Sequence, residues 1–315
     1  AGGARAVKDG VMRNYVTGLE VVLATGDVLR LGGKLIKNVA GYDLMHLFIG
    51  SEGTLGVITK AILRLYPRPA AMISLVVAYD NVHDAVRTVP RILRAGLRPL
   101  AIEFMQREAA ERSARMLGLK WRIEKGSSFL YIILEGATQD EVYDMAMKID
   151  EIARDCGALE TFVAVDRADQ EELLAVRSNI YHSLKRVSLD ILDVAVPPAR
   201  IADFVDKACE LAVEYGVEFL PIYGHAGDGN LHIQILSEEA GGIGLDRLEE
   251  FREKLYWVAL EMGGTITAEH GLGAIRVASF LKHADRKLVE LMAALKKVFD
   301  PNGILNPGKV LPLRS

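Results

Sequence analysis

Cysteine is nearly absent: Cys156 and Cys209 are the only two among 315 residues. Two thiols far apart in helical-looking segments cannot form a disulfide framework. They read as a pair of buried thiols in a reducing compartment. No uninterrupted apolar run is long enough to span a bilayer, and there is no secretory signal pattern. Basic runs are missing too. Lys and Arg total 38 against 42 Asp and Glu, a net charge of -4, so nothing favours a nucleic-acid backbone as partner. These absences suggest a cytoplasmic protein, with peripheral attachment to a membrane still compatible. An initiating methionine is also missing, and the opening Ala1-Gly2-Gly3 reads as a start in mid-domain. No short-period repeat or low-complexity segment is seen. What remains is ordinary globular composition, half hydrophobic and a quarter charged. The length suggests two domains.

Residues 1–69 are dense in glycine and short apolar runs. "YVTGLEVVLATGDVLRLGG" reads as two strands joined at the turn signal "TGD". A short helix over 43–48, a glycine-rich loop and a strand over 57–66 follow, and "PRP" at 67–69 reads as a domain boundary. Beyond it, strands such as "MISLVVAY", "PLAIEFM", "SFLYIILEG" and "NLHIQIL" alternate with amphipathic helices. One helix, "QDEVYDMAMKIDEIARDCG", carries apolar residues at helical spacing and Gly157 at its end. Strands and helices mixed with hairpins predict an α+β fold, with a largely antiparallel sheet flanked by helices over 70–290. A tail, 291–315, closes the chain.

Three stretches carry chemistry. In "YGHAGDGNLHIQI" a two-residue turn at Asp228-Gly229 would set His225 directly opposite His232 on one face. Two imidazoles so placed can share a divalent ion; a surface hairpin with idle histidines is the alternative. In "TAEHGLG", Glu269 and His270 precede Gly271 and Gly273, which marks a tight non-helical loop. A carboxylate would complete a His, His, Glu set that leaves a coordination position open. Neighbouring side chains in extended chain point opposite ways, so His270 could act as a base while Glu269 ligates. A helix-start loop with a capping glutamate is the competing reading. In "FIGSEGTLGVIT", Gly50, Gly53 and Gly56 fall three apart with Ser51 and Thr54 between. Such a loop can cradle a pyrophosphate, although it is not the dinucleotide fingerprint.

Taken in order, "AGGARAVKDG", "KNVAGYDLMHLFIGSEGTLGVIT", "GHAGDGNLH", "AEHGLG" and "DPNGILNPGKVL" resemble the FAD-linked oxidases and dehydrogenases of the vanillyl-alcohol oxidase type. Within that family they are similar to the branch acting on D-2-hydroxy acids: the glycolate oxidase flavin subunit, D-lactate dehydrogenase and D-2-hydroxyglutarate dehydrogenase. The resemblance covers essentially the whole chain. It implies that 1–69 is the second half of a FAD-binding domain, that 70–290 is a substrate (cap) domain, and that 291–315 returns to the flavin. The family's first flavin subdomain has no counterpart in this sequence; a fragment of a longer chain or a second chain supplying that subdomain would each account for it, and a homodimer is compatible.

By motif, the resemblance places Gly2, Gly3, Gly50, Ser51, Glu52, Gly53, Gly56, Val57, Ile58 and Asn306 along FAD. Lys309 falls near the active site and is carried over as a substrate contact. His225, His232 and Glu269 match metal ligands and His270 the general base. Arg177, in "LLAVRSNIY", matches an arginine for the substrate carboxylate, a task suited to a planar guanidinium; a solvated charge on an amphipathic helix is the alternative. Gln234, two residues after His232, points the same way and is a candidate substrate contact. Two departures stand out. Tyr181 and Ile191 replace a threonine and a lysine that the hydroxyglutarate enzymes use for a distal carboxylate. That implies a smaller or more apolar acid. The expected function is FAD-dependent oxidation of a small D-2-hydroxy acid, of the D-lactate or glycolate type, to the 2-oxo acid. Hydride passes to flavin N5, with zinc as the first choice of metal and manganese, iron or cobalt as others. The electron acceptor leaves no mark in the sequence. A non-catalytic subunit or fragment without its own complete flavin site, and a metal-dependent hydrolase, are the other readings.

Overall fold

A computed structural model describes residues 2–312; the last three positions of the 291–315 tail lie outside the described residues. The chain divides into two compact units. One comprises residues 1–2, 11–67 and 269–315, the other 3–10 and 68–268. Residues 269–290, read from the sequence as cap, therefore belong with the glycine-rich front segment.

The first unit is built on a three-stranded antiparallel sheet, β1 (Val16–Val22), β2 (Val28–Gly32) and β3 (Val57–Leu63), in the order β2-β1-β3. The "TGD" signal is the β1–β2 turn: Leu23 N–H donates to Asp27 and Gly26 takes the left-handed backbone (φ 88°). Val16, Leu19, Val21 and Phe48 form the buried centre, joined edge-on by Phe299 from the helix Arg286–Phe299. Gly56 belongs to this packing. A Cβ there would stand 2.5 Å from Val21 Cγ1 and 3.0 Å from Phe48 Cε1, so only glycine fits.

The second unit is a seven-stranded antiparallel sheet with helices against it, as expected of the α+β class. Its strands are β4 (Ala71–Tyr79), β5 (Ala101–Gln106), β6 (Ser128–Gly136), β7 (Glu160–Ala164), β8 (Ser188–Ala195), β9 (Ile222–His225) and β10 (Asn230–Leu236). They lie in the order β7-β4-β6-β5-β9-β10-β8. Central strands are buried along nearly their whole length, which explains why they read as continuous apolar runs. One face carries Val76, Ala78, Phe129, Tyr131, Met105 and Tyr223. They pack against Ala110, Ala114, Leu173, Val176 and Ile180 of the helices Arg107–Met116, Arg167–Ser178 and Ile180–Leu184. Helices Val82–Arg94, Gln139–Asp155, Ile201–Tyr215 and Leu245–Glu261 form a second, mutually packed set. Asn81 and Thr138 cap two of them, each accepting a backbone N–H three residues on. Cys156 is buried, but Cys209 is exposed, one step past the buried Ala208 on its helix. Among the described residues no helix is long and apolar enough to cross a membrane.

The end of the first unit hangs on one buried acid. Asp300 accepts the backbone N–H groups of Ile304 (3.0 Å) and Leu305 (2.8 Å) and pairs with Lys296 Nζ (2.5 Å). Lys296 also donates to the carbonyls of Thr54 and Leu305, both at 2.7 Å. Burial opposes ionisation of Asp300, yet Lys296 and the two N–H donors outweigh it and hold the carboxyl below its usual range. Its folded value being depressed, its contribution is complete above the unfolded value of about 3.9 and is lost as pH falls through the folded value. Asp300→Asn should lower stability by about 2 kcal/mol at neutral pH. It should also flatten the loss of Tm that the parent shows below about pH 4, as read by thermal melts across pH.

Candidate functional site

The strand period of two brings the polar residues of β5, β9, β10 and β8 to one face. Met105 pairs with Tyr223, Tyr223 with His232, and His232 with Asp193. Glu103, His225 and Gln234 lie two residues along from these and share their face. The rest of this face is mostly apolar, with Ser74, Glu135 and Glu160 as further polar members on β4, β6 and β7.

The hairpin register differs from the expected one. His225 pairs with Asn230 and His232 with Tyr223, because the connection is a four-residue loop, Ala226–Gly229. Asp228 and Gly229 both donate their N–H to His225 O, while Gly227 N–H donates to Ile102 O (3.0 Å). Glycine is required twice here: a Cβ on Gly227 would meet Val7 at 2.7 Å and one on Gly229 would meet Val196 O at 2.0 Å. Contacts to neighbouring segments thus override the two-residue turn. The histidines are diagonal neighbours rather than directly opposed, and diagonal positions share a face. Their rings meet edge to face with centroids 5.2 Å apart. Their side chains are 12% and 7% exposed, so they are not idle surface groups.

Each histidine has a buried carboxylate that the sequence reading missed. Glu103 reaches His225 Nδ1 with both oxygens, at 2.8 and 2.9 Å. Asp193 lies 3.6 Å from His232 Nδ1. It also accepts from Asn230 Nδ2 (2.8 Å), Thr267 Oγ1 (3.1 Å) and Ala268 N–H (2.9 Å). Asp193 therefore fixes the last residues before Glu269.

Arg177 is no solvated helix charge. Its side chain is only 10% exposed, and Nη2 stands 2.6 Å from Glu103 Oε2. The guanidinium also lies over the Tyr223 ring, 5.4 Å from its centroid. Among the described residues its Nε finds no hydrogen-bond acceptor. Burial opposes ionisation of Glu103, but the Arg177 charge and the His225 hydrogen bond together hold its pKa below the usual carboxylate range. Gln234 is fully buried, takes the Tyr223 hydroxyl on Oε1 (3.1 Å), and has no acceptor for Nε2. Burial raises the Tyr223 pKa. Two unsatisfied buried donors on one face are costly unless a ligand completes them. Tyr181 and Ile191 pack against this core as apolar neighbours.

The other unit holds the remaining expected residues except Gly3, which belongs to the second unit. Glu269 accepts the Gly2 N–H (3.2 Å), and His270 Nε2 lies 3.9 Å from Glu269 Oε1. Glu269 precedes the helix Val277–His283 by a loop, so it does not cap it. In the glycine loop, Gly50, Glu52 and Gly53 are all left-handed (φ 88°, 53° and 69°). The Ser51 hydroxyl donates to Phe48 O. The Glu52 carboxylate accepts the N–H groups of Leu272 and Gly273, both at 2.8 Å. A Cβ on Gly271 would stand 2.6 Å from Glu52 Oε1. Glu52 is thus the clamp of the "AEHGLG" loop. Asn306, itself left-handed (φ 41°), donates to Glu52 O (2.5 Å). Gly3 is left-handed with open space at its Cα, Val57 and Ile58 are about half exposed, and Lys309 is exposed.

A family model described as FAD linked oxidases, C-terminal domain, matches residues 68–310. The chain belongs to this family. It is 43% identical over 312 residues to a D-lactate dehydrogenase of Archaeoglobus fulgidus, covering 99% of this chain and 68% of that protein. It is 37% identical over 315 residues to glycolate oxidase subunit GlcD of Bacillus subtilis, covering 98% and 66%. A probable mitochondrial D-2-hydroxyglutarate dehydrogenase of Oryza sativa is 36% identical over 323 residues, with 99% and 56% covered. The chain thus spans about two thirds or less of the length of these relatives. In structure it resembles p-cresol methylhydroxylase with substrate bound, with a TM-score of 0.71 at 17% identity, covering 99% of this chain and 68% of that one. That likeness speaks to fold.

Glu52→Ala removes two charge-assisted hydrogen bonds from a partly exposed acid. It should cost about 1–2 kcal/mol. The amides of Leu272 and Gly273 should exchange with solvent at least tenfold faster, as hydrogen-exchange NMR or mass spectrometry would show.

Proposed function

We propose that the chain works in the FAD-dependent, metal-assisted oxidation of a small D-2-hydroxy acid, of the D-lactate or glycolate type, to the 2-oxo acid. The observation that carries this reading is the polar patch on the apolar sheet face. It holds two adjacent imidazoles, each beside a buried carboxylate, together with a buried guanidinium and a buried amide that still have N–H donors to give.

The donor set fits a divalent cation. His225 and His232 offer borderline nitrogen ligands and Glu269 a carboxylate, a combination that suits zinc and admits manganese or iron. The loop around Gly50, Ser51, Glu52 and Gly53 fits a phosphate-bearing cofactor, since left-handed residues turn successive N–H groups the same way. The half-exposed Val57 and Ile58 offer apolar cover for a ring. When bound, flavin supplies the two-electron acceptor and the cation a Lewis acid at the substrate oxygens.

The chain's own residues do the rest. Arg177 binds the substrate carboxylate through Nε, which has no acceptor among the described residues, and this orients the C2–H bond. Gln234 Nε2 donates to a second substrate oxygen. His270 takes the proton of the C2 hydroxyl as the carbonyl forms. Tyr181 and Ile191 leave a second, distal carboxylate without a cation, which favours a short or apolar substrate. Lys309 and Asn306 act at the tail. In the purified protein, His225→Ala should lower zinc affinity at least 100-fold. Arg177→Met should keep the metal and raise KM for D-lactate about 100-fold, the loss of hydrogen bonds to a charged group. Zinc is read by competition with a chromophoric chelator, and turnover with a dye acceptor. A His225→Ala variant with parental zinc binding and turnover would sink the assignment. A colourless chain that still binds zinc would separate the metal site from the flavin reading.

A further inference from the structure

We propose that Glu103 is the positioning residue of this site: one buried carboxylate that sets the tautomer of His225 and, in the same stroke, aims Arg177. The inference rests on the reading of His225 as a metal ligand and Arg177 as the substrate clamp, and adds the group that ties them together.

Glu103 sits mid-strand in "AIEFMQ", where every neighbour on β5 up to Met105 is apolar and buried, and its own side chain is 2% exposed. An ionised acid in such a place is retained only by strong partners. It has two. Both oxygens lie within 2.9 Å of His225 Nδ1, and Oε2 also lies 2.6 Å from Arg177 Nη2. A carboxylate only accepts, so the proton of a neutral His225 sits on Nδ1. Nε2 then carries the ring's lone pair, which makes it the nitrogen able to ligate. The pull of Glu103 on Arg177 fixes one edge of the guanidinium, while Nε remains without an acceptor.

Glutamine cannot replace this acid. It has one acceptor oxygen where two donors need acceptance. If the amide oxygen takes His225 Nδ1–H, its NH2 faces the guanidinium. If it turns to Arg177, its NH2 donates to Nδ1 and drives the proton to Nε2. Asp193 differs from Glu103: it stands 3.6 Å from His232 Nδ1, and its oxygens also accept from Asn230, Thr267 and Ala268.

The test uses the full chain, zinc as the probe, and three variants: Glu103→Gln, Arg177→Met and the double Glu103→Gln/Arg177→Met. The double removes both charges together and so avoids stranding an unpaired buried cation. Zinc affinity should fall 10- to 100-fold in Glu103→Gln and recover to within about threefold of the parent in the double, where the amide oxygen accepts His225 Nδ1–H with no guanidinium facing its NH2. It should stay within about threefold in Arg177→Met, which leaves the His225 contact intact. Nitrogen-15 shifts of the metal-free protein should show His225 protonated on Nδ1 in the parent and in Arg177→Met. That pattern should be lost in Glu103→Gln and return in the double. Parental zinc affinity and an unchanged His225 tautomer in Glu103→Gln would overturn the proposal while leaving the metal reading standing. A loss in Arg177→Met as large as in Glu103→Gln would also overturn it, since the effect would then be general disruption. A parent that binds no zinc but shows the Glu103-dependent tautomer would remove the metal reading and keep the positioning role.

Discussion

The second unit depends on a buried charge pair. Glu103 and Arg177 come from different elements, a central strand and a helix laid over it, and each is almost fully removed from water. Taking either charge into that interior alone costs several kcal/mol. Together they attract strongly, because the surroundings screen them poorly. The helix Arg167–Ser178 is thus docked by more than the apolar contacts of Leu173 and Val176. Such a pair adds little net stability over well-packed apolar residues. Its effect is on geometry: it dictates where a cation sits above the sheet.

The rest of the polar patch follows from strand periodicity. Once Met105, Tyr223, His232 and Asp193 are in register, the alternation of side chains puts every polar group of four neighbouring strands on one face. Slipping any strand by one residue would turn its polar members to the other face and bring apolar ones in their place. The register is held by residues that do no chemistry. Gly224, whose Cβ would stand 2.4 Å from Asn230 O, lets β9 and β10 close. Asn230 ties the hairpin to β8 through Asp193 and Val194 O.

The α+β class, the antiparallel sheet and most strands were legible in the sequence, because buried strands and amphipathic helices have distinct periods. So was the sharing of one face by His225 and His232, though not their direct opposition. The register behind it was not. A hairpin's local signal, Asp228-Gly229, favours a two-residue turn, but Ile102 and Val196 draw the loop onto themselves. Glu103 and Asp193 were missed for a different reason. Each is a lone acid inside an apolar strand, in "AIEFM" and "ILDVAV", and no spacing rule links it to a histidine more than thirty residues away. The available signal was the acid itself, since a carboxylate in a buried strand needs a partner. The same test applied to Arg177, on a helix with an acidic first turn, would have read it as solvated.

Glu52 extends that logic to the first unit. A motif reading puts it beside a cofactor, yet its carboxylate is occupied by two backbone N–H groups of the "AEHGLG" loop. Asp300 does the same for the tail, and Asp193 for the segment that ends at Ala268. In each case a glycine-rich or irregular stretch leaves N–H groups that no helix or ladder can satisfy, and an acid from a distant element accepts them. Glycine supplies the close approach: at Gly271 a single added carbon would collide with Glu52. The residues offered as ligand and base, Glu269 and His270, stand in one such stretch. Their placement depends on carboxylates that come from distant elements.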